Sequence, residues 1–112
     1  MSETCLAVVD DSTLDTISAL ADRTRLQILF LLGERGRMCV NDIADHFRIS
    51  RPAISHHLKI LRRSHIVQNE KVGQEVYYSM DIGGLAGRLR GLADTLEECC
   101  CGQNDVGKCG VS

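Results

Sequence analysis

Apolar residues recur along this chain in two rhythms, and the rhythms mark out the elements. From residue 12 to 35 the spacing is helical. Leu14, Ile17, Leu20 and Ala21 fall on one face, and Leu26, Leu29, Phe30 and Leu32 read as core. Ser12, with Asp15 three residues on, predicts the start of a first helix. Asp22-Arg23-Thr24-Arg25 opens a second, stopped by Gly33 and Gly36. A short third helix is predicted over Cys39–Phe47, with Ile43, Ala44 and Phe47 on one side. Ile49-Ser50-Arg51-Pro52 predicts a fourth: Ser50 is a good N-cap, and Pro52 is tolerated in the first turn because its missing N–H is not needed there. This helix runs to about Ser64 and buries Ile54, Leu58 and Leu61. The period then changes. I-V-Q-N-E-K, V-G-Q and E-V-Y-Y-S-M, within residues 66 to 80, read as two strands joined by a tight turn containing glycine. A final helix covers roughly 82 to 100.

The predicted order is α-α-α-α-β-β-α, a mainly α (α+β) chain. Two short helices joined by H-F-R-I-S, the second one basic at its start, make a helix-turn-helix pattern. A hairpin directly after it is a wing, so the expected fold is a winged helix-turn-helix. With 112 residues there is room for one modest core. The expectation is a single domain over 1–112, ordered over about 12–100, with a flexible cysteine-containing tail over 101–112.

Charge strengthens this reading. The net charge of −2 looks unhelpful for a nucleic-acid binder until it is mapped. Residues 48 to 71 hold Arg48, Arg51, Lys59, Arg62, Arg63 and Lys71 against the single acid Glu70, whereas residues 1 to 22 hold five acids and no Lys or Arg. In this arrangement the second helix of the motif enters the major groove, and residues near its N-terminus reach base edges. Ser50, Arg51, Pro52, Ser55, His56 and Lys59 occupy that end and its solvent side. Arg51 can fork onto guanine O6 and N7; Ser55 and His56 can take base or phosphate contacts. Lys71 and Gln74, at the hairpin tip, are placed to reach a neighbouring backbone or minor groove. The expected partner is double-stranded DNA.

Other classes fit poorly. The N-terminus has no basic region followed by an apolar run, so no secretory signal is expected, and no segment approaches a membrane span of roughly 18 apolar residues. The expected location is the cytoplasm, where thiols are kept reduced. No C-x-x-C motif, Gly-rich phosphate loop or Ser/His/Asp arrangement points to an enzyme. The six cysteines therefore point to metal or redox chemistry ahead of a disulfide framework.

Four of those cysteines stand together in E-C-C-C-G-Q-N-D-V-G-K-C, residues 98 to 109. The helix leading to them carries Ile82, Leu85, Leu89, Leu92 and Leu96, a narrow seam of alternating three- and four-residue steps. Such a seam is best explained by a partner helix, so a homodimer through the terminal helices is expected. Gly84, Gly87 and Gly91 weaken an isolated helix and are read as permitting close approach of that partner. Extended, the seam reaches Cys99 and Cys100. Adjacent helical side chains diverge, so a three-thiolate site would need a ligand from flexible chain, and Cys109 can fold back. The expected set is Cys99, Cys100 and Cys109, with Cys101 as substitute.

The stretches A-L-A-D-R-T-R-L-Q-I-L, M-C-V-N-D-I-A, I-S-R-P-A-I-S-H-H-L-K-I-L-R and V-G-Q-E-V-Y-Y-S resemble the ArsR/SmtB family of metal-responsive repressors, over about residues 14 to 100. The resemblance implies a homodimer that binds an imperfect palindromic operator and lets go when an inducer binds. It places His57 at the family's near-standard histidine, packing or touching backbone, and His56 at the variable position facing DNA. It also offers three inducer sites. A C-V-C-D-L pair is impaired here, because Asn41 replaces the second cysteine after Cys39; Cys5 of a partner would have to join. A zinc-type site on the last helix lacks ligands, since no histidine follows His65 and Asp81, Asp94 and Glu97 alone suit zinc poorly. The cysteine cluster fits the third, arsenic-responsive type. That implies As(III) or Sb(III) in a three-thiolate pyramid, with Cd(II) or Zn(II) on four cysteines a further option. The rival on the same fold is a thiol-based redox or persulfide sensor. Glu97, Glu98 and the negative end of the helix work against it, because they disfavour thiolates.

Overall fold

The computed structural model describes residues 10–101. Helix α1 spans Asp11–Leu20 and α2 spans Arg23–Arg35. Strand β1 (Arg37–Cys39) follows, then α3 (Val40–Ala44), α4 (Arg51–Arg63), β2 (Val67–Val72), β3 (Glu75–Met80) and α5 (Ile82–Cys101). The three strands form one antiparallel sheet in the order β1-β3-β2.

The helix starts are set by side-chain caps. Ser50 accepts the Ala53 N–H at 3.3 Å, as predicted, and Asp22 accepts the Arg25 N–H at 3.0 Å where the second helix was expected to open. At α1 the cap is Asp10 and not Ser12: the Asp10 carboxylate accepts the Thr13 N–H at 2.8 Å, which also holds its pKa below the ordinary value. An ionised carboxylate is the stronger acceptor at a helix N-terminus, so the helix begins earlier. Helix α2 runs through Gly33 and stops only at Gly36, whose φ of 91° suits glycine and whose N–H donates to Leu32 O at 2.7 Å.

Helix α4 ends in a Schellman motif. The Ile66 N–H donates to Leu61 O and the His65 N–H to Arg62 O, each at 3.0 Å, while Leu61 and Ile66 are fully buried. The residue that turns left-handed there is His65, at φ 59°. Without glycine this conformation costs roughly 1 kcal/mol, which the surrounding packing must offset.

Strand β1 was not expected. Three residues are too few to show an alternation, and its pairing is with a distant segment: Arg37, Met38 and Cys39 lie opposite Ser79, Tyr78 and Tyr77. Arg37 adds a salt bridge to Glu70 at 3.1 Å and lies 4.6 Å from the Tyr77 ring centroid. By taking Cys39 into the sheet, β1 shortens the predicted third helix at its start. At its end, Asp45 to Phe47 close into a turn through His46 N–H to Ile43 O and Phe47 N–H to Ala44 O. The hairpin β2–β3 pairs Val72 with Glu75 across the two-residue loop Gly73-Gln74, with Gly73 at φ 64°.

The core is built from Ile28, Leu32, Ile43, Ile54, Leu58, Leu61 and Ile66, all with almost no exposed surface. Two residues read as core are not in it: Leu26 is 39% exposed and Phe30 is 76% exposed. Helix α2 is apolar on two sides, and Ile28, Leu29 and Leu32 take the inner one. Leu26 and Phe30 instead line an open apolar groove of about 460 Å³, shared with Met80, Ile82 and Leu89.

Candidate nucleic-acid interface and inducer site

Helix α4 divides cleanly. Ile54, Leu58 and Leu61 anchor it in the core, while Arg51, Pro52, Ser55, His56 and Lys59 are all exposed. At about 100° per residue those five share one broad face over the first two and a half turns. Ser50 stands at the tip of this face with its oxygen engaged as the cap. Lys71 and Gln74 are exposed at the hairpin, and Arg48 and Arg63 add exposed positive charge beside α4. Every residue of the expected DNA-contact set is thus on the outside, in two groups: one on α4 and one on the wing.

His57 turns the other way. Its Nδ1 lies 3.3 Å from Arg25 Nη1 and 3.9 Å from Asp22 Oδ2, in the corner between α1 and α2. Because Arg25 can only donate, Nδ1 must accept, which puts the ring proton on Nε2 in the neutral form. Arg25 also holds the end of α1, donating from Nε to Ala19 O at 2.7 Å and from Nη2 to Ser18 O at 3.4 Å. The Arg25 N–H, followed by the Arg25 charge, keeps the Asp22 carboxyl below its ordinary pKa, against the opposing pull of burial.

The sequence reading gave Arg25 and Arg88 no role, yet each joins several elements. Arg88, on α5, donates from Nη1 to Ser64 O at 2.9 Å and to Thr16 Oγ1 at 3.1 Å, and from Nη2 to His65 O at 2.9 Å. Its one sequence signal is a charge among the small and apolar residues of L-A-G-R-L, weak because isolated arginines on helices usually face solvent.

On α5 the expected seam is mostly uncovered in the single chain. Leu85 is 6% exposed, whereas Ile82, Leu89 and Leu96 are 54%, 39% and 56% exposed. Leu14 and Ile17 on the neighbouring α1 are 50% and 44% exposed. Gly84 has a local reason: its N–H donates to Asp81 Oδ1 at 3.1 Å, and a Cβ there would collide with that carboxylate. Asp81 is therefore spent on capping α5. Gly87 and Gly91 face open space.

Of the predicted metal set, Cys99 alone has a described side chain. It is half-buried and disulfide-bonded. The side chains of Cys100 and Cys101, and Cys109 entirely, lie outside the described residues, as does Cys5. Cys39 is a free cysteine, 7% exposed, packed as a small apolar residue. Among the described residues no three His, Cys, Asp or Glu side chains gather as a metal site. None of the described helices is long and apolar enough to cross a membrane.

Comparison with known proteins agrees with this geometry. Residues 22–69 match the profile of the family described as bacterial regulatory protein, arsR family. The chain is 37% identical over 92 residues to the transcriptional repressor SdpR of Bacillus subtilis, covering 82% of this chain and 98% of that one. It is 36% identical over 83 residues to the arsenical resistance operon repressor of the same organism, covering 74% and 73%. Among solved structures, a possible transcriptional regulator for arsenical resistance superposes with a TM-score of 0.65 at 40% identity, over 73% of this chain and 83% of that one. The chain belongs to the arsR family of bacterial regulatory proteins, and is a winged-helix, DNA-binding transcriptional regulator.

Proposed function

We propose that the protein is a cytoplasmic homodimeric repressor, one winged-helix domain per subunit, that holds a palindromic operator and releases it when trivalent arsenic or antimony is captured near the end of α5. The observation that carries the DNA half is the exposed face of α4. Arg51 reads a guanine edge, Ser55 and His56 take neighbouring base or phosphate contacts, Lys59 meets phosphate, and Ser50 and Pro52 fix the helix start. Lys71 and Gln74 on the wing contact the flanking backbone. The uncovered stripe of Leu14, Ile17, Leu89 and Leu96 supports pairing of two chains through α1 and α5. Burying each of these half-exposed side chains contributes on the order of 1 kcal/mol.

The inducer half rests on donor chemistry and on the likeness to an arsenical resistance operon repressor. Thiolates of Cys99, Cys100 and Cys109, with Cys101 as substitute, supply soft ligands. Three sulfurs suit As(III) or Sb(III), and four suit Cd(II) or Zn(II). The disulfide at Cys99 means that its sulfur already meets a second sulfur; reduced, that pair becomes two ligands. The same observation favours a second reading, in which oxidation or persulfide formation at these thiols is itself the signal.

Fluorescence anisotropy separates the two. The reduced protein is bound to a duplex from upstream of its own coding region, and arsenite, antimonite, cadmium, zinc and polysulfide are titrated in separately. Release by arsenite near one equivalent per subunit, lost in the C99S/C100S double variant with DNA affinity retained, supports the metalloid reading. Release by polysulfide alone replaces it with the thiol-sensing one.

A further inference from the structure

The terminal helix grips the end of the DNA-reading helix through Arg88. The Schellman bonds at the end of α4 use the carbonyls of Leu61 and Arg62, and those of Ser64 and His65 point onward to the guanidinium at 2.9 Å each. His65 is the residue in the left-handed conformation, so Arg88 braces the one non-glycine left-handed turn among the described residues. A cation is also favoured there by the partial negative charge at a helix C-terminus. The third acceptor, Thr16 Oγ1, is itself fixed: Thr16 is 3% exposed and its hydroxyl donates to Ser12 O at 3.0 Å. The Ser64 hydroxyl adds a bond to Asp15 O at 3.4 Å. Helices α1, α4 and α5 therefore meet at one planar group.

Arg88 and Cys99 belong to the same continuous helix. They are eleven residues apart, so at 100° per residue they point within about 20° of each other, about 16 Å apart along the axis. A rigid helix passes a rotation at one position to the other. Turning α5 by about 20° moves a group roughly 6 Å off axis by about 2 Å. Bonds that start at 2.9 Å lapse beyond about 3.5 Å.

We propose that Arg88 is a positioning residue for operator binding: it sets the tilt of α4 from the terminal helix, touches no DNA, and is the link through which events at Cys99 reach the recognition face. The last clause rests on the inducer reading above; the positioning role does not.

The test compares wild type with R88Q, R88K and T16A as full-length reduced proteins. Affinity for the upstream duplex is measured by anisotropy across a salt series, alongside sedimentation and thermal melting. The expected result is a tenfold or greater loss of affinity in R88Q with dimer and helix content kept, partial recovery in R88K, and an intermediate loss in T16A. The slope of log affinity against log salt stays at the wild-type value, whereas loss of a direct phosphate contact lowers it by about one. Affinity within twofold of wild type, or a slope lowered by about one, overturns the proposal. Should R88Q not fold, R88K and T16A carry the same decision. Arsenite is then added. R88Q is expected to show less than a threefold change in DNA affinity, and a wild-type-sized response overturns the transmission role. A wild type that ignores arsenite sinks the inducer reading and leaves the salt series to decide on Arg88.

Discussion

At the scale of single residues, the proposed DNA contacts divide into one that reads sequence, Arg51 on α4, and one that only holds charge, Lys71 on the wing. Arg51 to alanine is expected to cost about 1–3 kcal/mol of operator affinity and to relax preference at one base pair, visible when binding is compared across single-base operator variants. Lys71 to alanine should weaken all sequences about equally and lower the salt slope by about one. Asp22 is legible twice over, as a cap and as a titrating group. Its folded pKa lies below the ordinary 3.8, so the stability it contributes is present above that value and is lost as the pH falls through the lower, folded one. Asp22 to asparagine keeps the cap geometry but removes the charge; the urea midpoint should then fall less between pH 5 and pH 2 than it does in wild type. The Ser50 cap could be read from the sequence because its partner, the Ala53 N–H, sits three residues on. Arg88 could not, because its acceptors lie 23, 24 and 72 residues away.

Elements were legible where they are long. Helix α4 and the hairpin fall where periodicity put them, since thirteen residues, or two strands with a glycine turn, give the pattern time to repeat. Strand β1 has three residues and owes its form to β3, forty residues on, so nothing local announces it. Helix α5 shows how a glycine can mislead. Gly84, Gly87 and Gly91 all looked like concessions to a partner helix, but Gly84 makes room for the Asp81 cap. Alanine normally improves a helix interior by about 1 kcal/mol over glycine. G84A is expected to do the reverse, lowering the urea midpoint, because the added Cβ displaces the carboxylate from its bond. A G84A protein more stable than wild type would mean that the cap is dispensable.

For the whole molecule, the feature that most shapes behaviour is the apolar surface left on α1 and α5. Sequence rhythm located the stripe but not its destination: Leu26 and Phe30 read as core by the same rule that found Leu29 and Leu32. Periodicity reports that a face is apolar, and only the assembled fold reports which face the core uses. Leu96 is 56% exposed, so changing it to glutamate leaves the single-chain core untouched. L96E is expected to sediment as a monomer with wild-type helix content and to bind operator at least a hundredfold more weakly, because half-sites are no longer gripped together. An L96E protein that remains dimeric places the pairing surface elsewhere.

The division of α4 between an anchored side and a free side has an evolutionary reading. Ile54, Leu58 and Leu61 carry the fold, and Arg51, Pro52, Ser55, His56 and Lys59 carry none of its core. Gene duplicates of such a protein can drift to new promoters without passing through unstable intermediates. Grafting the five outward residues of another regulator of this family onto α4 should therefore move promoter choice to that of the donor while the melting temperature stays within a few degrees. A regulator built this way can be rewired by exchange of a few surface letters, with its scaffold inherited unchanged.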